Sequence, residues 1–263
     1  MNHRRFSSPS FWRGTLGVII LLIVWEAFAR SHLFNQAITP PLANIARRLW
    51  QMLLDGSLVE NAAFTLARVL IGLALACSIG IPVGMIMGRV RAAERFFLPL
   101  LSVLMPIPSL AWVPLFILWF GIGEITTILV VMYAATFPII YNVWTGVRAV
   151  NPVWTRAATS MGATERVLFR KVVLPGASPY VLTGIRLAFG RAWIAVIGGE
   201  LLANPTYGLG RVIFDAKEFL NSEVMLASLI AIGVIGLFFE RVVFQTVEGR
   251  TVARWGMVST LRN

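Results

Sequence analysis

The sequence predicts an all-α protein that crosses a membrane six times, and three observations carry that prediction. Hydrophobic residues fill 57% of the 263 positions and charged residues only 13%, against roughly a quarter charged in soluble domains. Mean hydropathy is +0.77, more apolar surface than a soluble fold of this length can hide. The remaining charge is lopsided, with 23 Lys+Arg against 12 Asp+Glu. In so apolar a chain that excess reads as basic residues retained in cytoplasmic segments, not as a nucleic-acid surface.

The first apolar stretch, residues 14–30, follows Arg4, Arg5 and Arg13 and ends near Ala27-Phe28-Ala29. Basic residues, an apolar run and small residues in that order resemble a secretory leader with its cleavage site. Trp25 and Glu26 suit a peptidase badly, so the stretch is taken as the first span. Residues 40–60 are polar enough to leave the bilayer, yet Leu42, Ile45, Leu49, Met52 and Leu53 recur at helical spacing. They predict an amphipathic helix on the outer face, or a packed loop helix.

A second span covers residues 65–88, where Gly80, Gly84 and Gly88 stand one turn apart on a single face. Small residues so spaced let two helices approach closely, here within the chain. The third and fourth spans cover 96–120 and 124–147. Prolines are frequent there, and Met105-Pro106-Ile107-Pro108 concentrates two of them. Broken helices at membrane depth are tolerated where the freed backbone faces protein or a water-filled cavity. Pro106, Pro108 and the nearby Trp112 are therefore candidates to line a pathway. The fifth span, 178–203, contains Arg186, Arg191 and Glu200, and the sixth covers 224–244.

With six spans and both termini in the cytoplasm, fifteen basic residues fall in cytoplasmic segments, among them Arg4, Arg89, Arg148, Arg166, Arg241 and Arg254. Five fall outside, namely Arg30, Arg47, Arg48, Arg211 and Lys217. That bias selects the orientation. Arg68, Arg186 and Arg191 lie within spans, where each can snorkel, pair with Glu200 or attract an anion. Glu200 is the acidic residue at depth and the remaining pathway candidate.

Several chemistries are excluded by what is missing. Cys77 is the single cysteine, and His3 and His32 are the only histidines, so no metal site is expected. Lys171 and Lys217 are the only lysines and neither follows a glycine-rich loop, so the phosphate-cradling pattern is absent. No cofactor and no enzymatic activity are expected, and any ATP chemistry must belong to another chain. A self-sufficient carrier or channel would have to rely on Glu200 and Arg191.

Residues 151–175 are unlike a simple connector. Asn151 is a good helix cap, Pro152 suits the first helical position, and Gly162 can take the positive φ that stops a helix. A second short segment runs through Val167, Leu168 and Val172 to Leu174-Pro175.

The spacing of Ala157-Ala158, Gly162 and Val172-Val173-Leu174-Pro175 resembles the EAA loop of permease subunits in bacterial binding-protein-dependent ABC importers. Arg156 departs from that pattern, which usually has an acidic residue there. Further stretches, including Ile107-Pro108-Ser109-Leu110-Ala111-Trp112, Leu118-Trp119-Phe120-Gly121-Ile122-Gly123 and Gly199-Glu200-Leu201-Leu202, look like the nitrate, taurine and aliphatic-sulfonate branch. The resemblance implies a permease domain in the bacterial inner membrane. It also implies a second copy of the chain, two cytoplasmic ATPase subunits and an external solute-binding protein as partners, with membrane lipid around them and no nucleic acid. It makes the helix before Gly162 a coupling helix, with Arg156, Ala157, Ala158, Met161, Gly162, Ala163, Leu174 and Pro175 as its ATPase-coupling residues.

Overall fold

The computed structural model describes residues 9–31 and 38–247, and every regular element among them is helical. His3, Arg4, Arg5, His32, Arg250, Arg254 and Arg262 lie outside the described residues. The order is α1 (Pro9–Arg30), α2 (Leu42–Leu54), α3 (Ser57–Arg89), α4 (Arg91–Leu104), a tight turn at Ser109–Trp112 leading into α5 (Val113–Phe120), and α6 (Glu124–Ala149). Then follow α7 (Pro152–Ser160), α8 (Glu165–Ala203, widened at Phe169–Val173), α9 (Leu209–Glu218) and α10 (Ser222–Val247).

Among the described residues four helices, α3, α6, α8 and α10, are long and apolar enough to cross a membrane, at 33, 26, 39 and 26 residues. The segment 96–120 is not one straight helix. Arg91–Leu104 and Ser109–Phe120 meet the same requirement only as a pair, and they are bent by 86°. The cause is local. Pro106 and Pro108 remove two backbone donors within three residues, and Pro114 restarts a helix in the first turn of α5,. Pro82, Pro99 and Pro138 each sit alone inside continuous helices. The Leu104 carbonyl, which accepts from the Ile107 N–H at 3.1 Å, also accepts a hydrogen bond from the Tyr133 hydroxyl at 2.7 Å, which ties the break to α6.

The glycines fix how the long helices run. A Cβ on Gly72 would lie 2.5 Å from Val131, on Gly80 2.9 Å from Ile139, on Gly84 2.7 Å from Val143, and on Gly88 2.5 Å from Val147. Partner numbers rise with glycine numbers, so α3 and α6 run parallel in close contact, and the small-residue face works within the chain. Parallel helices need one return between them, and the bent α4–α5 pair supplies it. Against α8 the order reverses: Gly146 meets Tyr180, Gly184 meets Asn142 and Gly199 meets Thr127. Helices α6 and α8 are therefore antiparallel. Helix α10 opposes α8 in turn, with Gly236 against Trp193 and Phe239 stacked on Phe189 at 5.1 Å.

Valine, alanine and isoleucine side chains of α3, α6 and α8, such as Val69, Val131, Ala135, Ile139 and Ala192, make the shared core. Charges gather at its two ends. At one, Arg89 pairs with Glu165 at 2.5 Å and Arg148 pairs with Glu94. At the other, Arg68 pairs with Glu124 and Glu200. Along α6, Glu124 and Arg148 stand about 36 Å apart at the α-helical rise, a little more than a hydrocarbon core. Helix α2 is a packed loop helix: Ile45 and Met52 are buried against Leu209, Val224 and Ala227, and Asn44 donates to Glu223 at 3.0 Å.

Candidate functional site

A cavity of about 450 Å³ opens where the break between α4 and α5 faces the middle of α6 and residues 191–195 of α8. Pro106, Pro108 and Ser109 form one wall, Tyr133 and Phe137 a second, and Arg191 with Ile194 a third. The volume falls within the roughly 300–1,000 Å³ typical of small-molecule sites. Aromatic packing stiffens its rear: Trp112 lies 5.4 Å from the Tyr133 ring and 6.0 Å from Phe116, and Tyr133 meets Phe137 edge-on at 4.9 Å. The Tyr133 hydroxyl is occupied with the Leu104 carbonyl. Arg191 is the sole charged side chain on the wall among the described residues.

The arginines within the spans meet different fates. Arg68 is only 2% exposed and bridges Glu200, which is 0% exposed, to Glu124. Arg186 donates through Nε and Nη2 to Glu240 at 3.0 and 2.5 Å. Arg191 is exposed and makes no hydrogen bond or ion pair among the described residues.

Glu200 sits away from the cavity, at the charged end shared by α3, α6 and α8. Its carboxylate accepts from Thr65 Oγ1 at 2.9 Å, Arg68 Nη1 at 2.5 Å and the Gly210 N–H at 2.8 Å. The α8–α9 loop is folded around it. Leu209 N–H donates to Thr65 Oγ1 at 2.9 Å and Gly208 N–H to Asn61 Oδ1 at 2.7 Å. Gly208 adopts φ +136°, and a Cβ there would strike the Glu200 carboxyl at 2.5 Å. Every Glu200 oxygen is thus satisfied inside the protein, as a buried carboxylate requires.

The 151–175 loop lies at the opposite end, beside the Arg89–Glu165 pair. Asn151 Oδ1 accepts from the Val153 N–H at 2.9 Å and starts α7. The helix stops in a Schellman motif: Gly162 N–H donates to Thr159 O at 2.9 Å and Ala163 N–H to Ala158 O at 3.0 Å, with Gly162 at φ +79°,. Ala158 is turned into the chain at 8% exposure, whereas Val153, Trp154 and Met161 point outward, Met161 at 81%. Arg156, Ala157 and Gly162 are on the open side, Ala163 is half-buried, and Leu174 and Pro175 are exposed where α8 continues toward its core.

Of the pathway candidates read from sequence, the fold brings Pro106 and Pro108 to the cavity, sets Trp112 behind it, and keeps Glu200 apart. Sequence reasoning missed Tyr133 and Phe137. Their i,i+4 spacing on a proline-containing helix opposite the Pro-x-Pro break was the available signal.

Comparison with known proteins identifies the family. Residues 80–245 match the family described as binding-protein-dependent transport system inner membrane component. The chain is 36% identical over 232 residues to the taurine transport system permease protein of Escherichia coli, covering 86% of this chain and 83% of that one. It is 33% identical over 264 residues to the bicarbonate transport system permease protein of Synechococcus elongatus, covering 92% and 93%. Among solved structures, the inward-facing MetNI methionine ABC transporter superposes with a TM-score of 0.62 at 22% identity, over 76% of this chain and 97% of that chain. With its apolar helices, its broken span and matches to permeases over most of its length, the chain belongs to the binding-protein-dependent transport system inner membrane components, the multi-pass permease subunits of ABC importers.

Proposed function

We propose that the chain forms the solute pathway of an ATP-driven importer for a small anion such as a sulfonate, taurine or nitrate. Two copies would enclose the pathway, two cytoplasmic ATPase subunits would drive it, and an external binding protein would deliver the solute. In this reading α1 is the first of six spans, both termini are cytoplasmic, and α7 is the coupling helix.

The observation that carries the reading is α7 itself. It is a two-turn helix capped at Asn151 and stopped at Gly162, with Trp154 and Met161 projecting from the basic end of the bundle. Two large apolar side chains on a rigid, short helix suit insertion into a groove on a partner. Direct backbone bonds at both ends of α7 let it transmit a push as one body. The taurine and bicarbonate relatives support a solute that carries an oxyanion group, the sulfonate of zwitterionic taurine or bicarbonate itself.

The test is to purify the tagged chain with co-expressed ATPase and binding protein and to reconstitute the complex in vesicles. ATP-dependent accumulation of taurine, ethanesulfonate, nitrate or bicarbonate, lost when the binding protein is omitted, is expected. Equal accumulation by the chain alone without ATP would make it a self-sufficient carrier and overturn the reading.

A further inference from the structure

We infer that Arg191 is an anion-binding residue of the solute pathway, holding the oxyanion group of the passing solute at the middle of the membrane. Three observations converge on it. The first is depth: Arg191 shares its cavity with Tyr133 and Phe137, halfway along α6 between the charged ends at Glu124 and Arg148. A guanidinium that far from either end cannot reach the interface, so it must face protein or water. The second is partnership. Arg68 and Arg186 are neutralised by carboxylates on other helices, while Arg191 is exposed and has no partner among the described residues. The third is the cavity, whose wall, among the described residues, offers an anion no competing carboxylate and no second cation.

The planar guanidinium fork binds sulfonate, carboxylate, nitrate or bicarbonate oxygens through two parallel hydrogen bonds. A single cation against apolar and aromatic walls discriminates by charge while holding the solute weakly enough to release it, as conduction needs. The backbone break supplies the space. Pro106 and Pro108 turn the chain away from α6 and α8 at this depth, so the guanidinium opens into a void instead of the side of a continuous helix.

The role as a point on an import pathway rests on the importer reading, but the electrostatic assignment does not, and the experiment separates them. Ser109, which lines the same cavity as Arg191, is replaced by cysteine in a Cys77→Ala background, and membranes are treated with the anionic sulfonatoethyl or the cationic trimethylammonioethyl methanethiosulfonate. The anionic reagent should react faster relative to its rate with a free thiol. A unit charge in the same watery cavity changes such a ratio by roughly tenfold, so Arg191→Gln should move it that far toward the cation. Arg191→Lys should restore it, and millimolar ethanesulfonate should slow the reaction only when position 191 is cationic. Equal ratios in Arg191 and Arg191→Gln chains, or no reaction with either reagent, would overturn the assignment. Retention of the ATPase on each tagged variant is read in parallel, so that failure of the importer reading shows there and leaves the labelling ratio intact.

Discussion

The Arg68 guanidinium donates to the Glu200 carboxylate at 2.5 Å across 132 positions of sequence, with both side chains closed off from the surroundings. Arg68 also reaches Glu124 through Nε and Nη2, so one cation ties α3 to the start of α6 and the end of α8. Removing the cation strands a buried carboxylate, whereas neutralising Glu200 leaves Arg68 its second partner. Arg68→Met should therefore cost about 3–5 kcal/mol, and Glu200→Gln a smaller 1–3 kcal/mol or so. Thermal unfolding of the detergent-solubilised chain measures both, and the reverse order would contradict the shared-cation arrangement.

The same network isolates Glu200 from the cavity. Glu200→Gln should lower stability while leaving the solute preference of any reconstituted uptake unchanged. A changed preference would place Glu200 on the pathway after all.

Gly84 has no room for a side chain. A Cβ there would approach Val143 Cβ to 2.7 Å and the Ile140 carbonyl oxygen to 2.8 Å, and backbone cannot step aside. Gly84→Val should part α3 from α6 at a cost of about 1–3 kcal/mol or more. Gly233→Ala, with nothing within 4 Å, should be close to neutral. Monodispersity and melting temperature in detergent would distinguish them.

On α7 the two faces should respond differently. Ala158→Asp buries an unpaired charge inside the chain at a cost of several kcal/mol and should unfold the loop. Met161→Asp alters only an outward side chain and should leave the melting temperature unchanged while reducing ATPase retention on a tagged column. Gly162→Val should fall between them, since φ +79° strains a β-branched residue by about 1–3 kcal/mol. Full ATPase retention by Met161→Asp would remove the outward face from the docking assignment.

Helix directions make the topology testable by labelling. In a Cys77→Ala background, single cysteines at 91 and 166 should react with an impermeant thiol reagent from one side of the membrane, and those at 55 and 215 from the other. Reaction of 166 and 215 from the same side would refute the antiparallel ordering.

What depends on neighbours in the chain was legible from residue order alone. Apolar runs of membrane length became helices. The Asn151, Pro152 and Gly162 pattern became a capped and stopped helix, because caps are built from backbone groups a few residues away. The two prolines at 106 and 108 marked where a span would break. Arg68, Arg186 and Arg191 looked alike in that reading, as apolar segments carrying a cation. It took the packed fold to show that the first two are neutralised and the third opens into a cavity, and that Ala158 points inward while Met161 points out. Pairing depends on the rotation and register of helices far apart in sequence, set by contacts such as Gly84 against Val143 that no local pattern encodes.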